Sequence, residues 1–204
     1  MIKLDIQYFG SIHYVQNLMK HKNILFDHNA FFTKMSFKNR MVIMTSQGPL
    51  LLTIPIIGGR DQKTPLQDIF IAYHQPWREQ HFKSIKTNYK KSPYFEFYEQ
   101  SLHAMYLNKP EKLVDFLILC FQWMQSQLKV SWEIMNANEQ TYLSNEQKYM
   151  DPWLPNNYNQ LKDFPEYHQV FSDKVAFEPN LSILDMLFNV GAKEISKLWA
   201  PPAN

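Results

Sequence analysis

Two side chains in the sequence have the types and surroundings that acid–base chemistry needs. The first is His81, one helical turn after Trp77 in a segment with helical spacing. A neutral imidazole near the edge of an amphipathic helix is suited to act as a general base near pH 7. The same position also suits a buried or boundary histidine with a structural hydrogen bond, and the sequence leaves both interpretations open.

The second candidate is Asp185, which lies in a short and very apolar segment. Residues 180–191 read Asn-Leu-Ser-Ile-Leu-Asp-Met-Leu-Phe-Asn-Val-Gly, with Ser182 as an N-cap and Gly191 as a C-terminal stop. Because this predicted helix is apolar almost all the way round, we expect it to be buried. A buried carboxylate needs hydrogen-bond partners. Asp185 is therefore predicted either to orient a catalytic histidine or to complete a capping box with Ser182.

Three cationic features suit an anionic substrate. Arg40 and Lys91 can each bind a phosphate group, although a solvated surface charge is the alternative for both. The segment Gly58–Lys63 pairs two glycines with two cations and could hold an anion on its backbone amides. It lacks the known phosphate-loop motifs, so a solvated loop is the favoured interpretation of that segment.

No metal site is predicted. The side chains that would have to converge are His13, His74, His81 and Asp27, and they lack the His-x-x-x-His and His-Glu-x-x-His spacings of zinc sites. The single Cys120 lies in an apolar run, so we predict a buried thiol and not a nucleophile. No sequence motif indicates a particular cofactor, so the cofactor is not predicted.

The order of the elements predicts an α/β fold. Residues 2–27 have the pattern of a strand, a turn, a helix and a second strand. Ligands of open α/β sheets lie at strand ends, so Gln7, Tyr8, His13 and Asp27 are candidate binding residues by position. Ordinary turn chemistry is the alternative for each of them.

Further elements follow along the chain. We predict a hairpin around Ser46–Pro49 whose second strand, 50–54, is an inner strand, and a third strand over 66–72. Helices are predicted over 77–89, 94–107 and 111–128, a strand over 130–135, and a long packed loop over 136–169. The predicted architecture is a small mixed sheet with flanking helices and a long ordered loop before the buried C-terminal helix, in a single domain spanning residues 1–204.

Composition narrows the class of protein. The chain has 204 residues, 45% of them hydrophobic, and a net charge of +2 with both signs mixed throughout. This balance gives no case for nucleic-acid binding or membrane insertion. Asp5 interrupts the N-terminal segment where a signal peptide would be apolar, so a cytoplasmic protein is expected. The oligomeric state is not predicted.

Four sequence motifs cover nearly the whole chain in order. They are Ile6-Gln-Tyr-Phe9; Lys38-Asn-Arg40 before the hairpin; Trp77-x-x-x-His81 with Tyr89-x-Lys91-x-Pro93; and Tyr167-His-Gln169 with the segment 177–191. Together they resemble the WbqC-like protein family. The resemblance implies a role in bacterial surface-polysaccharide (O-antigen and capsule) biosynthesis, with glycyl or acyl transfer to a nucleotide-linked sugar.

The resemblance also implies a set of site residues. The positions that match the family pattern are Gln7, Asp27, Asn39, Arg40, Trp77, His81, Tyr89, Lys91, Asp185 and Asn189. The first loop, 10–14, departs from the family's usual Gly-Tyr-Phe ending, and a glycine-rich central segment is missing. If that segment holds substrate, the activity is altered or lost. We therefore expect a transferase-like protein acting on a small anionic, nucleotide-sugar-like substrate, or a non-catalytic binding or assembly protein of the same fold.

Overall fold

The computed structural model of the protein describes residues 2–27, 30–58, 64–136, 147–148, 152–161, 164 and 166–199. The chain begins with the predicted β-α-β unit. Strands β1 (Ile2–Leu4) and β2 (Asn23–Phe26) pair in parallel, and α1 (Ile12–Leu18) connects them. Strands β5 (Glu133–Asn136) and β6 (Gln147–Lys148) join them, also in parallel, in the order β5-β2-β1-β6. The α/β class is confirmed.

The hairpin is also present, but its second strand is not an inner strand. Strand β3 (Arg40–Thr45) pairs antiparallel with β4 (Gly48–Thr53) in a two-stranded sheet. Leu50 and Leu51 are 37% and 41% exposed, so the prediction of an inner strand was wrong. A continuous apolar run is expected where a strand is covered on both faces, and here the run lies at the edge of the described sheet.

The predicted strand over 66–72 was wrong as well. Its first half is a short 3₁₀ helix, Leu66–Asp68. Its second half makes only isolated bridges, from Phe70 to Lys112 and from Ile71 to Ile56. Leu66, Ile69 and Ile71 are all buried, so their apolar spacing reflects packing against the core and not a strand.

Three of the helices lie where their spacing predicts them, to within two residues at each end. They are α2 (Trp77–Tyr89), α3 (Phe95–Leu107) and α4 (Leu113–Leu128). Helix α2 packs against α3, and α3 packs against α4. Cys120 of α4 is fully buried, as predicted, and burial raises the pKa of its thiol. Among the described residues, none of the helices is long and apolar enough to cross a membrane.

The C-terminal core helix, α5 (Ile183–Val190), is buried as predicted. The side chains of Ile183, Leu187 and Phe188 are 0% exposed. Ser182 caps the helix by accepting a hydrogen bond from the Leu184 N–H at 3.4 Å. Gly191 ends it with a φ of 80°, and a Cβ there would lie 2.9 Å from the Tyr94 ring. A further helix, α6 (Ala192–Trp199), follows directly.

The start of α5 is held between the first β-α unit and the hairpin. The N–H of Ser182 donates to the Val42 carbonyl oxygen at 2.8 Å, and the N–H of Ile183 donates to the Gly10 carbonyl oxygen at 2.9 Å. Because the Ser182 N–H already has this partner on β3, Asp185 does not complete the predicted capping box. Helix α5 therefore connects the two sheets of the fold, and the Asp185 carboxylate forms hydrogen bonds with residues other than Ser182.

The predicted long loop over 136–169 lies partly outside the described residues. Its described parts include a short 3₁₀ helix, Tyr158–Gln160, and the strand β6. The side chain of Asn180, just before α5, donates to the Tyr158 carbonyl oxygen at 3.3 Å. At least this part of the segment is therefore attached to the body of the molecule.

Candidate functional site

A cavity of about 200 Å³ opens between the segment that precedes β3 and the segment that follows β4. Two of the predicted substrate-binding residues, Asn39 and Arg40, are in its wall. The full lining is Phe32, Lys34, Met35, Asn39, Arg40, Thr53, Ile54, Pro55 and Ile56. The cavity thus combines two cationic side chains with an apolar wall.

Asn39 fixes one wall of this cavity. Its side-chain Nδ2 donates to the Ile54 carbonyl oxygen at 2.9 Å, and the Ile54 N–H donates to the Asn39 carbonyl oxygen at 2.8 Å. These two bonds extend the hairpin by one residue pair beyond β3 and β4. Asn39 is 6% exposed, so its amide holds the backbone of the cavity wall in place.

Arg40 is the least satisfied charged group of the cavity. Its Nη1 contacts the Met35 sulfur closely, and its buried Nε has no hydrogen-bond partner within the described residues. A thioether is a weak acceptor, and a buried donor without an acceptor costs about 1–3 kcal/mol. The guanidinium therefore keeps most of its capacity for an incoming anion.

Met35 reaches Arg40 from an unusual backbone conformation. Its φ is 55°, in the left-handed region that side chains other than glycine rarely adopt. Such a conformation costs about 1–3 kcal/mol and is found most often at functional sites. The turn is closed by the Ser36 hydroxyl, which donates to the Thr33 carbonyl oxygen at 2.6 Å.

His81 lies directly behind the cavity wall. Its Nδ1 is 3.0 Å from the Tyr8 hydroxyl, which is in turn hydrogen-bonded to the Tyr106 hydroxyl. The ring also forms a hydrogen bond with the backbone of Thr53, a residue that lines the cavity. Trp77 packs edge-on against the imidazole at 5.2 Å between ring centroids. The imidazole is thus held on several sides.

Burial decides the protonation state of His81. The side chain is 6% exposed, and burial lowers its pKa from 6.5 to about 4, against a smaller opposing effect of the Thr53 hydrogen bond. The imidazole is therefore neutral at pH 7. It does not line the cavity, and its hydrogen bonds are those expected of a structural histidine.

Asp185 is the centre of a second, separate polar cluster. The Tyr89 hydroxyl donates to its Oδ1 at 2.7 Å and accepts a hydrogen bond from the Met44 N–H at 2.8 Å. The Tyr167 hydroxyl donates to Oδ2 at 2.5 Å, and Gln169 Nε2 donates to the same oxygen at 3.2 Å. The carboxylate therefore joins α2, the hairpin and the segment before α5.

The charge state of Asp185 reflects two opposing effects. The side chain is 0% exposed, and burial raises the pKa of its carboxyl. Hydrogen bonds from Tyr167, Tyr89 and Gln169, together with one from Asn189, lower that pKa and partly offset burial. Asn189 also donates from Nδ2 to the Asp185 carbonyl oxygen at 2.8 Å. Both carboxylate oxygens thus have donors.

Comparison with known proteins identifies the family. The model of the WbqC-like protein family matches residues 6–154 and 140–197. The protein belongs to the WbqC-like protein family. One relative, "Uncharacterized protein Rv1507c" of Mycobacterium tuberculosis, is 24% identical over 216 residues, which covers 91% of this chain and 89% of the relative. No solved structure matches the chain.

The residues that carry the family motifs fall into distinct places. Asn39 and Arg40 line the cavity, and Trp77 and His81 lie behind it. Tyr89, Asp185 and Asn189 form the second cluster. Within the described residues, none of the hydrogen bonds of Asp185 reaches His81. Asp185 accepts a hydrogen bond from Tyr89 instead, and His81 is hydrogen-bonded to Tyr8.

The remaining predicted residues lie apart from both clusters. Gln7 is buried at the end of β1, and its Oε1 accepts a hydrogen bond from the Ser11 N–H at 3.1 Å. Asp27, after β2, forms an ion pair with Lys3 at 3.3 Å. Lys91 is exposed after the end of α2. Most of the predicted glycine-pair loop, residues 59–63, lies outside the described residues.

Several residues at these clusters were missed by the sequence analysis. Lys38 is 3% exposed, and its Nζ lies 2.6 Å from the Asp5 carboxylate. Lys38, Tyr167 and Gln169 all occur inside the motifs that carry the family resemblance, so the motifs themselves were the available signal. Met35 and Tyr106 lie outside those motifs and carry no local signal.

No metal-binding group is found in the described parts of the chain. No set of three or more His, Cys, Asp or Glu side chains converges there in a way that could hold an ion.

Proposed function

We propose that the protein binds an activated, anionic substrate of the nucleotide-sugar kind in the cavity beside Arg40. On this proposal it acts in the cytoplasm as a transferase of bacterial surface-polysaccharide biosynthesis, moving a glycyl or acyl group. The observation that carries the proposal is the Arg40 guanidinium, whose buried Nε lacks an acceptor at the cavity wall.

The cavity has the charge and the donors that an anion needs. A guanidinium offers several N–H groups in a planar fork that matches phosphate or carboxylate oxygens. Lys34 supplies a second positive charge in the same lining. An anion bound there would replace the weak thioether contact of Arg40 Nη1 with a strong, charge-assisted hydrogen bond.

The proposed catalytic roles of His81 and Asp185 take a specific form. Since neither residue lines the cavity, the geometry favours positioning roles for both. His81 would hold the backbone of Thr53 in the cavity wall through its hydrogen bond. Asp185 would hold Tyr89 and Tyr167 together at one end of α2. The reacting groups would then come from the substrates and from the residues of the cavity.

The biological context of this proposal rests on the resemblance to the WbqC-like protein family. The charges of the cavity support anion binding, and they do not specify a sugar, a group donor or a group acceptor. The match covers the residues that form the cavity as well as those that form the Asp185 cluster.

A non-catalytic binding or assembly protein is the second candidate. It is favoured by the position of His81, whose ring is buried, hydrogen-bonded to Tyr8 and not part of the cavity lining. A protein of this kind would bind the same anionic ligand without converting it. The two candidates share the binding site and differ only in turnover.

The test is a thermal-shift screen of the purified protein with nucleotide-sugars. We expect one class of nucleotide-sugar to raise the melting temperature by about 5–10 °C at saturating concentration. Arg40→Gln should abolish the shift, and Lys91→Gln, which removes a cation outside the cavity, should retain it. A panel without any response, or an equal response in Arg40→Gln, would refute the proposed site.

Turnover separates the two candidates. The ligand found in the screen is incubated with glycyl and acyl donors, and the sugar is analysed by mass spectrometry. A mass increase equal to one glycyl or acyl group supports the transferase. Arg40-dependent binding without a mass increase with any donor supports the binding protein.

A further inference from the structure

The size of the cavity limits how much of a ligand it can enclose. Its volume is about 200 Å³, whereas pockets that enclose a whole drug-sized ligand measure about 300–1,000 Å³. A ligand anchored by its anion at Arg40 must therefore lie partly outside the cavity. The chemistry of the surrounding surface then indicates what the rest of the ligand is.

The segments that form the cavity carry unusually exposed apolar side chains. Met35 lines the cavity and is 47% exposed. Phe31 and Ile57 are 61% and 62% exposed and directly adjoin the lining residues Phe32 and Ile56 in the chain. We call Phe31, Met35 and Ile57 the apolar rim. Clusters of exposed apolar side chains on a protein surface commonly mark binding sites.

The apolar rim continues to Phe70 and is accompanied by cations. The Ile57 N–H donates to the Phe70 carbonyl oxygen at 2.9 Å, so the two backbones are in contact. Phe70 is 42% exposed, and the Lys112 Nζ lies 6.0 Å from the centre of its ring. With Arg40 and Lys34 in the cavity, this surface combines positive charge with exposed apolar side chains.

We propose that the ligand of this cavity is an amphiphilic organic phosphate, in which the phosphate is carried directly on an apolar chain. The phosphate binds Arg40, and the chain lies against the apolar rim. This inference rests on the anion site at Arg40 that the proposed function uses. It changes the group that carries the phosphate from a nucleotide to an apolar chain.

Met35 has a defined part in this arrangement. Its thioether covers the guanidinium from a strained, left-handed backbone position. When a phosphate takes the guanidinium, the flexible and apolar methionine side chain is displaced toward the chain of the ligand. Met35 thus contacts Arg40 in the free protein and the apolar part of the ligand in the complex.

Isothermal titration with a matched ligand series tests the proposal. The ligands are inorganic phosphate, monomeric octyl phosphate, and octyl glucoside, which has the same chain without the charge. We expect octyl phosphate to bind at least tenfold more tightly than either of the other two. Each CH₂ removed from water contributes about 0.8 kcal/mol, so contact along part of the chain is enough for this difference.

Variants assign the effect to the residues. Arg40→Gln should abolish octyl phosphate binding. Phe31→Ser and Ile57→Ser should each weaken octyl phosphate binding three- to tenfold and leave the affinity for inorganic phosphate unchanged. Phe97→Ser, which removes a side chain that is 70% exposed on α3, should leave both affinities unchanged. Thermal unfolding of each variant shows whether it is folded, and either rim variant suffices for the test.

Three results would overturn the inference. If nucleotide-sugars bind in an Arg40-dependent way while octyl phosphate binds no more tightly than phosphate, the inference fails and the proposed function stands. If none of these ligands binds, both fail. If the protein sediments with vesicles of phosphatidic acid but does not bind monomeric octyl phosphate, the apolar rim is a membrane-contact surface, and the cavity is not a site for a free amphiphile.

Discussion

Two charged side chains of this fold, Asp185 and Arg40, have opposite hydrogen-bond environments. Both oxygens of Asp185 accept hydrogen bonds, from Tyr89 on one side and from Tyr167 and Gln169 on the other. The buried Nε of Arg40 has no partner in the described part of the chain. A buried polar group is normally paired. Arg40 differs from other unpaired buried groups of the described residues, such as Trp77 Nε1 and Asn189 Oδ1, in being a cation at the cavity. A complete set of partners indicates a structural role, and an incomplete set at a cavity indicates a ligand.

His81 belongs with Asp185 in this comparison. Its ring is bonded to Tyr8 and to the backbone of Thr53, and it is shielded from solvent. Its residue type and its position one helical turn after Trp77 made His81 the first catalytic candidate. The comparison therefore indicates that His81 and Asp185, whose hydrogen bonding is complete, stabilise the fold. Arg40, at the cavity, is the charged group available to a ligand.

The largest effect is expected from removing the Asp185 carboxylate. Asp185→Ala leaves the hydroxyl groups of Tyr89 and Tyr167 and the amide of Gln169 without their shared acceptor in a dry interior. Each buried donor left without an acceptor costs about 1–3 kcal/mol, so we expect a total loss of about 3–5 kcal/mol. Urea denaturation of the variant and the wild type measures the loss of unfolding free energy.

Two further variants define the network around Asp185. Tyr167→Phe removes one of its donors and should cost about 1–2 kcal/mol. Glu194→Ala, on the exposed side of α6, serves as the control for a lost carboxylate and should change the free energy by less than about 0.5 kcal/mol. A loss below about 1 kcal/mol in Asp185→Ala would mean that its hydrogen bonds do not hold the fold.

The next effect concerns the pH dependence of stability through His81. Burial lowers the pKa of this residue from 6.5 to about 4. Between these two values the unfolded chain takes up a proton that the folded protein does not. The stabilisation is therefore complete above about pH 6.5 and is lost as the pH falls toward 4. A pKa difference of this size corresponds to roughly 3 kcal/mol.

Comparison with a non-titrating variant isolates this contribution. The pKa of Asp185 is raised by burial, which favours the folded state as the pH falls and so opposes the effect of His81. We therefore expect the difference in unfolding free energy between pH 7.5 and pH 4.5 to shrink by roughly 2–3 kcal/mol in His81→Gln. An unchanged difference would show that the imidazole is protonated in the folded protein and is not a satisfied neutral ring.

Local sequence patterns predicted the surroundings of Asp185 better than those of Arg40. The apolar period and the flanking Ser182 and Gly191 predicted α5, its burial and the need of Asp185 for partners, because these properties depend on neighbouring residues. The partners themselves could not be predicted. Tyr89 lies far from Asp185 along the chain, and only the packing of α2 against the hairpin and α5 brings its hydroxyl to the carboxylate.

The cavity could not be predicted from local patterns. It depends on Met35, which adopts a positive φ without being a glycine, and on the bond between the Asn39 side chain and the Ile54 carbonyl oxygen beyond the hairpin. Elsewhere, the run Leu50–Leu52 was interpreted as part of an inner strand, although β4 pairs only with β3 among the described strands. A single sequence records apolar side chains and does not record which face remains open, so an exposed strand is easily interpreted as core.

The smallest effect, and the sharpest test of the comparison, is expected from Arg40→Met. Replacing the guanidinium removes a buried donor that has no acceptor, so the folded state loses little hydrogen-bond stabilisation. We expect the unfolding free energy to change by less than about 1 kcal/mol, with either sign. Lys34→Met places the same side chain in the same cavity lining and controls for the added apolar surface. A loss of about 3 kcal/mol in Arg40→Met, matching that of Asp185→Ala, would make both charged groups parts of the frame and would leave the cavity without its proposed ligand-binding residue.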